Sequence, residues 1–344
     1  MKYWQWHRYY ERRVPNGKKI VLINLDETSV CFAPELRSGL VVIRSSSEAK
    51  ALVAKQDTRS NLTYVATVCD DESVQASMPH FIIGDKTRIR DTDMVSLRES
   101  PKNNVHVWRN EKSAWNNHTL MQRILTVIRD ALSHRPDLLP VLILDVAPCH
   151  IHKSVFQKAR QLGIWLVFVP SRVTYLLQPL DTHGFFSFKA WLRRMYAALR
   201  GVAVDGLVAR LDWLKVLQSA KEAHFDQKSW KRAFADTGAR LPFAHLTKSL
   251  SKYATPEDAM TVEAAELSEQ DLAHFWPKRR RMGFAVDTLF ATSASASSSS
   301  SAPIVRAAKR SQPCPSVSIA LASRSNKRAC RQYPCREVLQ EDAS

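Results

Sequence analysis

The sequence has no apolar run approaching the roughly 20 residues needed to span a bilayer, which argues against an integral membrane protein. Its N-terminus, MKYWQWHRYYERR, lacks the apolar core of a secretory signal peptide. The six cysteines do not show the paired spacing of a secreted disulfide scaffold. We therefore expect reduced thiols in an intracellular protein.

Acidic residues are also scarce, with 33 Asp and Glu against 50 Lys and Arg, so the formal net charge is +17. Such a charge indicates a polyanionic partner, most simply nucleic acid. An anionic membrane surface is the alternative, but we expect neither a membrane nor a small-molecule substrate. With 344 residues, 45% of them hydrophobic, the chain is long and apolar enough to bury a full core.

The order of predicted elements indicates an α/β fold. Apolar, β-branched runs predict strands over 19–26, 39–43 and 62–69, and a return strand over 74–84. Helical spacing follows over 114–132, where Trp115 would share an apolar face with four aliphatic residues. Two short buried strands, at 141–144 and 164–169, flank a helix over 154–162 that should end at Gly163, and further helices cover 185–199 and 207–223.

Three acidic residues stand where apolar runs end: Asp26 in IVLINLDET, Asp145 in VLILDVAPCH and Asp181 in LLQPLD. A carboxylate at the rim of an apolar sheet loses hydration unless something pairs with it. For a single residue of this kind, a solvated strand cap is the commoner explanation. Three together, without an evident basic partner, indicate a divalent cation, since carboxylates are the ligands that Mg²⁺ and Mn²⁺ prefer.

We expect Asp26 and Asp145 at the ends of neighbouring central strands, with Asp181 at the start of the next helix. A parallel pair of strands joined by a crossover helix brings distant carboxylates to one edge of a sheet. Two cations roughly 3.5–4 Å apart at such an edge activate a water or hydroxyl and stabilise the leaving oxygen of a phosphodiester. The three carboxylates and the basic net charge of the chain together therefore predict metal-dependent phosphoryl transfer on nucleic acid.

The segments LDET, LILDVAPCH and VFVPSRVTYLLQPLDTHGFFSFK resemble the DDE-superfamily endonuclease domain of pogo-like transposases, a group that includes jerky-like and centromere-protein-B-like proteins. Thirty-five residues separate the second and third acids, a spacing within the range of that superfamily. The resemblance covers roughly 19–200. It implies an RNase H-like fold, Mg²⁺ or Mn²⁺ as cofactor, and cleavage and transfer of double-stranded DNA. Asp26, Asp145 and Asp181 take the catalytic and metal-binding positions.

Two features depart from the family pattern. The residue after the second Asp is usually Asn and is Val146 here, which removes an amide that would orient a carboxylate or a water. The family also carries helix-turn-helix domains before the catalytic domain, whereas the first catalytic strand here begins near residue 19. A truncated copy, an incomplete gene model and a catalytic domain targeted by another protein all remain open explanations.

Other candidate residues have two interpretations each. Glu27 should face away from Asp26 and serve as a structural hydrogen-bonding group, although a place at the shared edge stays open. Cys149, His150 and His152 superficially suggest zinc, but no second Cys/His pair completes four ligands. His150 is either a helix N-terminal residue or a group that supports Asp145.

Basic residues after Asp181 are candidates for phosphate contact, although most such side chains simply form the wet face of an amphipathic helix. The basic clusters PKRRR and SNKRACR are typical of nuclear import signals or non-specific DNA contacts, so we expect a nuclear protein. Four tryptophans are expected in the core rather than as base-stacking platforms. The nucleic-acid-binding candidates are Lys189, Arg193, Arg194, Lys278, Arg279, Arg280 and Arg281.

The sequence thus predicts a basic and aromatic segment over 1–18 and an RNase H-like catalytic domain over 19–200. A helical extension follows over 201–285, and a disordered Ser/Ala-rich, basic tail over 286–344. The favoured function is a DNA endonuclease and strand transferase of the transposase type. Transposition of this kind needs at least two subunits, so a homodimer is expected. The alternative is a catalytically silent nuclear protein that binds DNA or chromatin.

Overall fold

The computed structural model describes residues 1–31, 61–98, 104–111, 113–203, 207–241 and 245–265. In chain order its elements are α1 (Lys2–Glu11), β1 (Lys19–Cys31), β2 (Asn61–Cys69), α2 (Glu72–Gln75), β3 (His80–Asp85), α3 (Asp91–Arg98), β4 (Val105–Asn110), α4 (His118–Ala131), β5 (Leu138–Leu144), α5 (Lys153–Gln161), β6 (Trp165–Phe168), α6 (Thr174–Leu177), α7 (Phe185–Val202), α8 (Arg210–Ala220), α9 (Lys231–Asp236) and α10 (Pro256–Thr261). Among these residues, no helix combines the length and apolar character that a bilayer span requires.

Six strands of the described chain form one mixed sheet in the order β4-β3-β2-β1-β5-β6. The β1–β2 and β2–β3 pairs are antiparallel, whereas β1–β5, β5–β6 and β3–β4 are parallel. The antiparallel hairpin followed by two parallel strands confirms the predicted α/β, RNase H-like mixed sheet flanked by helices.

Strand β1 is the centre of the sheet, and it is longer than predicted. Every residue from Ile20 to Leu25 is buried, as expected for a strand covered on both faces. The strand does not end at Asp26, because β2 continues to pair with it as far as the Cys31–Asn61 partners. Asp26 instead lies where the parallel partner β5 stops: the last aligned pair is Asn24 with Ile143.

Helix boundaries follow local capping chemistry. The side chain of Asn117 accepts hydrogen bonds from the backbone of Thr119 and Leu120, which sets the start of α4. The predicted helix over 114–132 was therefore too long at its N-terminus, and Trp115 lies outside it, with 68% of its surface exposed rather than in the core. Helix α5 ends as predicted at Gly163, which has a φ of +65°.

The predicted return strand over 74–84 was partly wrong. The side chain of Asp71 accepts from the backbone of Ser73 and caps the short helix α2, so the chain is helical over Glu72–Gln75. Strand β3 begins only at His80, after Pro79. The strand predicted over 39–43 lies outside the described residues.

Helix α1 packs on the far edge of the sheet. Trp6 stacks on Phe168 of β6, and the hydroxyl of Tyr10 donates a hydrogen bond of 2.6 Å to the carbonyl of Leu166. On β2, Tyr64 contacts Phe188 of α7 and stacks on Phe225. These contacts join the helices to the sheet. The predicted domain boundaries stay predictions, and the predicted tail over 286–344 lies outside the described residues.

Candidate active site

The three predicted acids are carried by three different elements that meet beside the centre of the sheet. Asp26 belongs to β1, and Asp145 directly follows β5, the parallel neighbour of β1. Asp181 lies in a single π-helical turn, Leu180–Gly184, that leads into α7. The crossover from β5 through α5 to β6 returns the chain to the same region, so residues far apart in sequence share one site.

A buried amide holds this arrangement together. Asn24 is fully buried two residues before Asp26. Its Nδ2 atom donates to the Oε1 atom of Gln178 at 3.0 Å and to the carbonyl of Ile143 at 3.2 Å, while its Oδ1 atom accepts from the backbone N–H of Leu180 at 2.9 Å. Asn24 thus ties the Asp181 turn to β1 and β5. The sequence analysis missed Asn24 and Gln178, although a polar residue inside the apolar run IVLINL was a usable signal.

The carboxyl groups are close enough for their charges to act on one another. Burial raises the pKa of Asp26 well above its usual range, and the charges of Asp181, Glu27 and Asp145 raise it further. Burial also raises the pKa of Asp181; the charge of Asp145 adds to this effect, and a hydrogen bond with Thr174 and the charge of Lys189 oppose it. In the metal-free protein, the surroundings therefore disfavour the ionised form of two of the three predicted acids, Asp26 and Asp181.

Asp145 differs from the other two because it has a basic partner. The Nδ1 atom of His150 lies 2.6 Å from its Oδ1 atom, which also accepts from the backbone N–H of Ala147 at 3.0 Å. Burial alone would raise the pKa of Asp145, but the hydrogen bond and charge of His150 outweigh it and hold that pKa below the usual range. Asp145 is therefore an ionised, oriented carboxylate.

His150 is fully buried and contacts acids on both sides. Its Nε2 atom lies 3.0 Å from the Oε1 atom of Glu27. Burial disfavours the imidazolium, yet the charge of Glu27 and hydrogen bonds with Asp145, Cys149 and Glu27 raise the pKa of His150 well above its usual range. His150 was predicted to be either a helix N-terminal residue or a group that supports Asp145, and the structure favours the second role. Glu27 also accepts from Asn116 at 2.7 Å, the structural role expected for it.

Among the described residues, the three aspartates do not place ligand atoms within 4.8 Å of one another as a group, whereas Glu27, Cys149 and His150 do. A metal ion bound by that second group would have to displace the hydrogen bond between His150 and Glu27.

Val146, in the place usually taken by Asn, is partly buried and packs against the hydrophobic core. The orienting hydrogen bonds to Asp145 come instead from His150 and the backbone of Ala147. The loss of the family's amide therefore leaves Asp145 oriented.

The basic residues predicted to bind nucleic acid lie at different distances from the acids. Lys189 is exposed on α7, and its charge acts on Asp181. Arg193 and Arg194 are exposed on the same helix. Lys278, Arg279, Arg280 and Arg281 lie outside the described residues.

Comparisons with known proteins agree with this site. Residues 61–234 match the DDE superfamily endonuclease family, a range that includes Asp145 and Asp181 but begins after Asp26. No curated protein sequence matches the chain.

Two of the similar solved structures are complexes of Mos1. The Mos1 transposase paired-end complex with left transposon end is 14% identical, with a TM-score of 0.31, over 69% of this chain and 63% of that chain. The Mos1 Strand Transfer Complex is 13% identical, with a TM-score of 0.31, over 70% of this chain and 64% of that chain. The chain thus spans less than two thirds of those proteins, and likenesses this distant carry no weight for function.

The family match covers half of the sequence, and the two acids inside it are those that follow β5 and open the turn into α7. The chain therefore belongs to the DDE superfamily endonuclease family.

Proposed function

We propose that this protein is a metal-dependent DNA endonuclease and strand transferase of the transposase type, with Asp26, Asp145 and Asp181 as its catalytic carboxylates. The observation that carries the proposal is the convergence of three elements on one site: β1 and β5 are parallel neighbours, and Asn24 of β1 accepts from the backbone N–H of Leu180, beside Asp181. The buried Asp26 there feels the charges of three other carboxylates. Such a cluster is costly for the fold unless a cation neutralises it.

The donor set fits Mg²⁺ or Mn²⁺. Asp26, Asp145 and Asp181 offer only hard carboxylate oxygens. Among the described residues, His150 bonds to Asp145 and the charge of Lys189 acts on Asp181, yet the pKa values of Asp26 and Asp181 stay raised. When bound, divalent ions supply activation of the attacking water or hydroxyl and stabilisation of the leaving 3′-oxygen.

The protein's own residues prepare the site before any substrate arrives. His150 keeps the carboxylate of Asp145 ionised and fixes its rotation. Asn24 and Gln178 fix the turn that carries Asp181 against β1. Preorganisation of this kind matters because a catalytic constellation must be held within about 0.5 Å of its productive geometry.

Double-stranded DNA is the proposed substrate. The net charge of +17 favours a polyanion, and the exposed Lys189, Arg193 and Arg194 offer cations beyond Asp181. A homodimer, a nuclear location and a pogo-like origin are part of the same proposal.

The direct test is metal-dependent nicking of supercoiled plasmid by the purified full-length chain. We expect nicked product with Mn²⁺ or Mg²⁺, none with EDTA, and none for Asp145→Asn with either metal. Asp212→Asn, which changes an exposed acid on α8, serves as the matched control and should nick like the wild type. Wild-type protein that binds DNA but never nicks it would overturn the proposal and favour the silent DNA-binding alternative; so would nicking that persists in Asp145→Asn.

A further inference from the structure

A groove of about 550 Å³ opens directly beside Asp181. One wall is formed by Tyr175 and by the turn that carries Asp181. The other wall is formed by α9 and by residues 245–249. The groove therefore joins the candidate active site to a part of the chain that the sequence analysis did not connect with it. Its lining includes Tyr175, Asp181, His183, Arg232, His245 and Lys248.

The groove carries exposed cations. The side chain of Arg232 is 83% exposed, and Lys248 and His245 are exposed as well. Its one acid besides Asp181 is Asp236, which already pairs with Arg232 at 3.4 Å and with His183 at 3.3 Å. Arg232 and Lys248 thus place two cations opposite Asp181, which suit phosphate groups, while the two acids balance their charge over the groove as a whole.

An aromatic ring faces the same space. Tyr175 lines the groove with 57% of its surface exposed. Asp181 lines the same groove, so the ring and the predicted point of cleavage share one space. Aromatic rings beside exposed cations are the usual platform for unpaired bases.

We propose that this groove binds an unpaired nucleotide of the DNA strand next to the scissile phosphate, with its base stacked on Tyr175 and the adjoining phosphates on Arg232 and Lys248. The proposal rests on the proposed function, since it takes Asp181 to mark the cleavage point. The volume is that of a pocket for a single small ligand, for which the range is about 300–1,000 Å³. A groove of this size holds one nucleotide, so the proposal has the strand opened or frayed at the cut.

The test measures the affinity of the full-length protein, in EDTA, for a fluorescein-labelled single-stranded 20-mer and for the blunt duplex of the same sequence. Tyr175→Ala should weaken single-strand binding about 5- to 100-fold, because stacking on one base is lost, and should leave duplex binding unchanged. Tyr175→Phe should bind like the wild type. Tyr253→Ala, which removes a 71% exposed tyrosine outside the groove, is the matched control.

The phosphate contacts have their own readout. Arg232→Glu and Lys248→Glu should each make the slope of log affinity against log salt less negative by about 0.7 for the single strand, the value for one lost contact. Lys215→Glu, an exposed lysine on α8 outside the groove, controls for the change in net charge.

Two results would overturn the inference: Tyr175→Ala binding the single strand like Tyr253→Ala, or an equal loss of affinity for the duplex and the single strand. The plasmid assay keeps this separate from the proposed function. If the wild-type protein nicks DNA with Mn²⁺ but the groove variants bind the single strand as the wild type does, the proposed function stands and the groove is not the binding site. If the wild-type protein never nicks DNA but Tyr175→Ala weakens its binding to the single strand, the groove is a binding site and the proposed function is wrong.

Discussion

The Nδ1 atom of His150 lies 2.6 Å from the Oδ1 atom of Asp145. On its other side the same ring contacts Glu27, and it is completely buried. The pKa of Asp145 is consequently held low, whereas that of Asp26 is raised by burial and by neighbouring carboxylates. Two acids of one site thus differ in charge state because only one of them has a basic partner.

We expect His150→Ala to lower the rate of plasmid nicking about 10- to 100-fold, the usual cost of removing a group that orients a metal-binding carboxylate. The concentration of Mn²⁺ needed for half-maximal nicking should rise as well, while DNA affinity in EDTA stays the same. The metal dependence separates a positioning role from a merely structural one, and circular dichroism reports whether the variant is folded. His134→Ala, an exposed histidine, is the control; nicking by His150→Ala with the wild-type metal dependence would contradict the assignment.

Asp26 should make the metal-free protein less stable as pH rises. Its pKa in the fold is raised, so between the ordinary Asp pKa of about 3.9 and the raised value the folded state binds more protons than the unfolded state. The free energy of unfolding contributed by this group therefore falls through that interval. Asp26→Asn removes the charge, and we expect it to raise the stability of the metal-free protein at pH 7 by about 1 kcal/mol, or about 2–4 °C in Tm.

Thermal melts in EDTA at pH 5, 6, 7 and 8 test this expectation, and the difference between variant and wild type should grow with pH. Asp212→Asn changes an exposed acid and should stay within about 0.5 kcal/mol of the wild type at every pH. Added Mn²⁺ should raise the Tm of the wild type, since a cation that binds the native state stabilises it, and should do so less for Asp26→Asn. A variant less stable than the wild type at pH 7 in EDTA would contradict the argument.

The sequence predicted those parts of helices and strands that depend on residues within the element itself. The end of α5 follows from Gly163, and the buried strand β5 follows from its apolar run. The extension of β1 to Cys31 depends on pairing with β2, thirty residues further along the chain, which no local pattern reports. The bonds of Asn24 to Gln178 and Leu180 likewise span more than 150 residues. The sequence could therefore indicate the acids, and mark Asn24 as a polar residue in an apolar run, but it could not identify the partners that Asn24 joins.

Gly238 should be far less tolerant of alanine than Gly17, although both have a positive φ, +73° and +78°. A Cβ at Gly238 would lie 2.6 Å from the Nε1 atom of Trp4, whose indole donates to the carbonyl of Thr237, whereas a Cβ at Gly17 meets nothing within 4 Å. We expect Gly17→Ala to cost about 1 kcal/mol of unfolding free energy, from backbone strain alone. Gly238→Ala should cost about 2–4 kcal/mol, because overpacking adds to the strain.

Urea denaturation of the two alanine variants measures this difference directly. A larger loss at Gly238 would show that α1 packs against the segment after α9 in solution. Equal losses at the two positions would mean that the contact between Trp4 and Gly238 is not close.

Arg240 should be essential to stability because it neutralises a buried acid. Its Nε atom donates to the Oδ2 atom of Asp70, whose side chain is 2% exposed, and its Nη2 atom donates to the carbonyl of Ile20 at 2.8 Å. Burial raises the pKa of Asp70 even with Arg240 opposing it, so the carboxylate has little tolerance for losing its partner. We expect Arg240→Ala to cost about 3–5 kcal/mol, the range for leaving a buried charge unpaired.

A double-mutant cycle isolates the pair. Asp70→Asn keeps an oxygen for the backbone N–H of Leu22, which donates to Asp70 at 2.8 Å, and removes the buried charge. Asp70→Asn/Arg240→Ala should therefore be more stable than Arg240→Ala alone, with a coupling of about 1–3 kcal/mol. Arg232→Ala, which breaks an exposed pair with Asp236, should cost less than about 1 kcal/mol. Additive losses in the cycle would mean that Arg240 acts through its bond to Ile20, whereas strong coupling would make the segment after α9 part of the fold that supports β1.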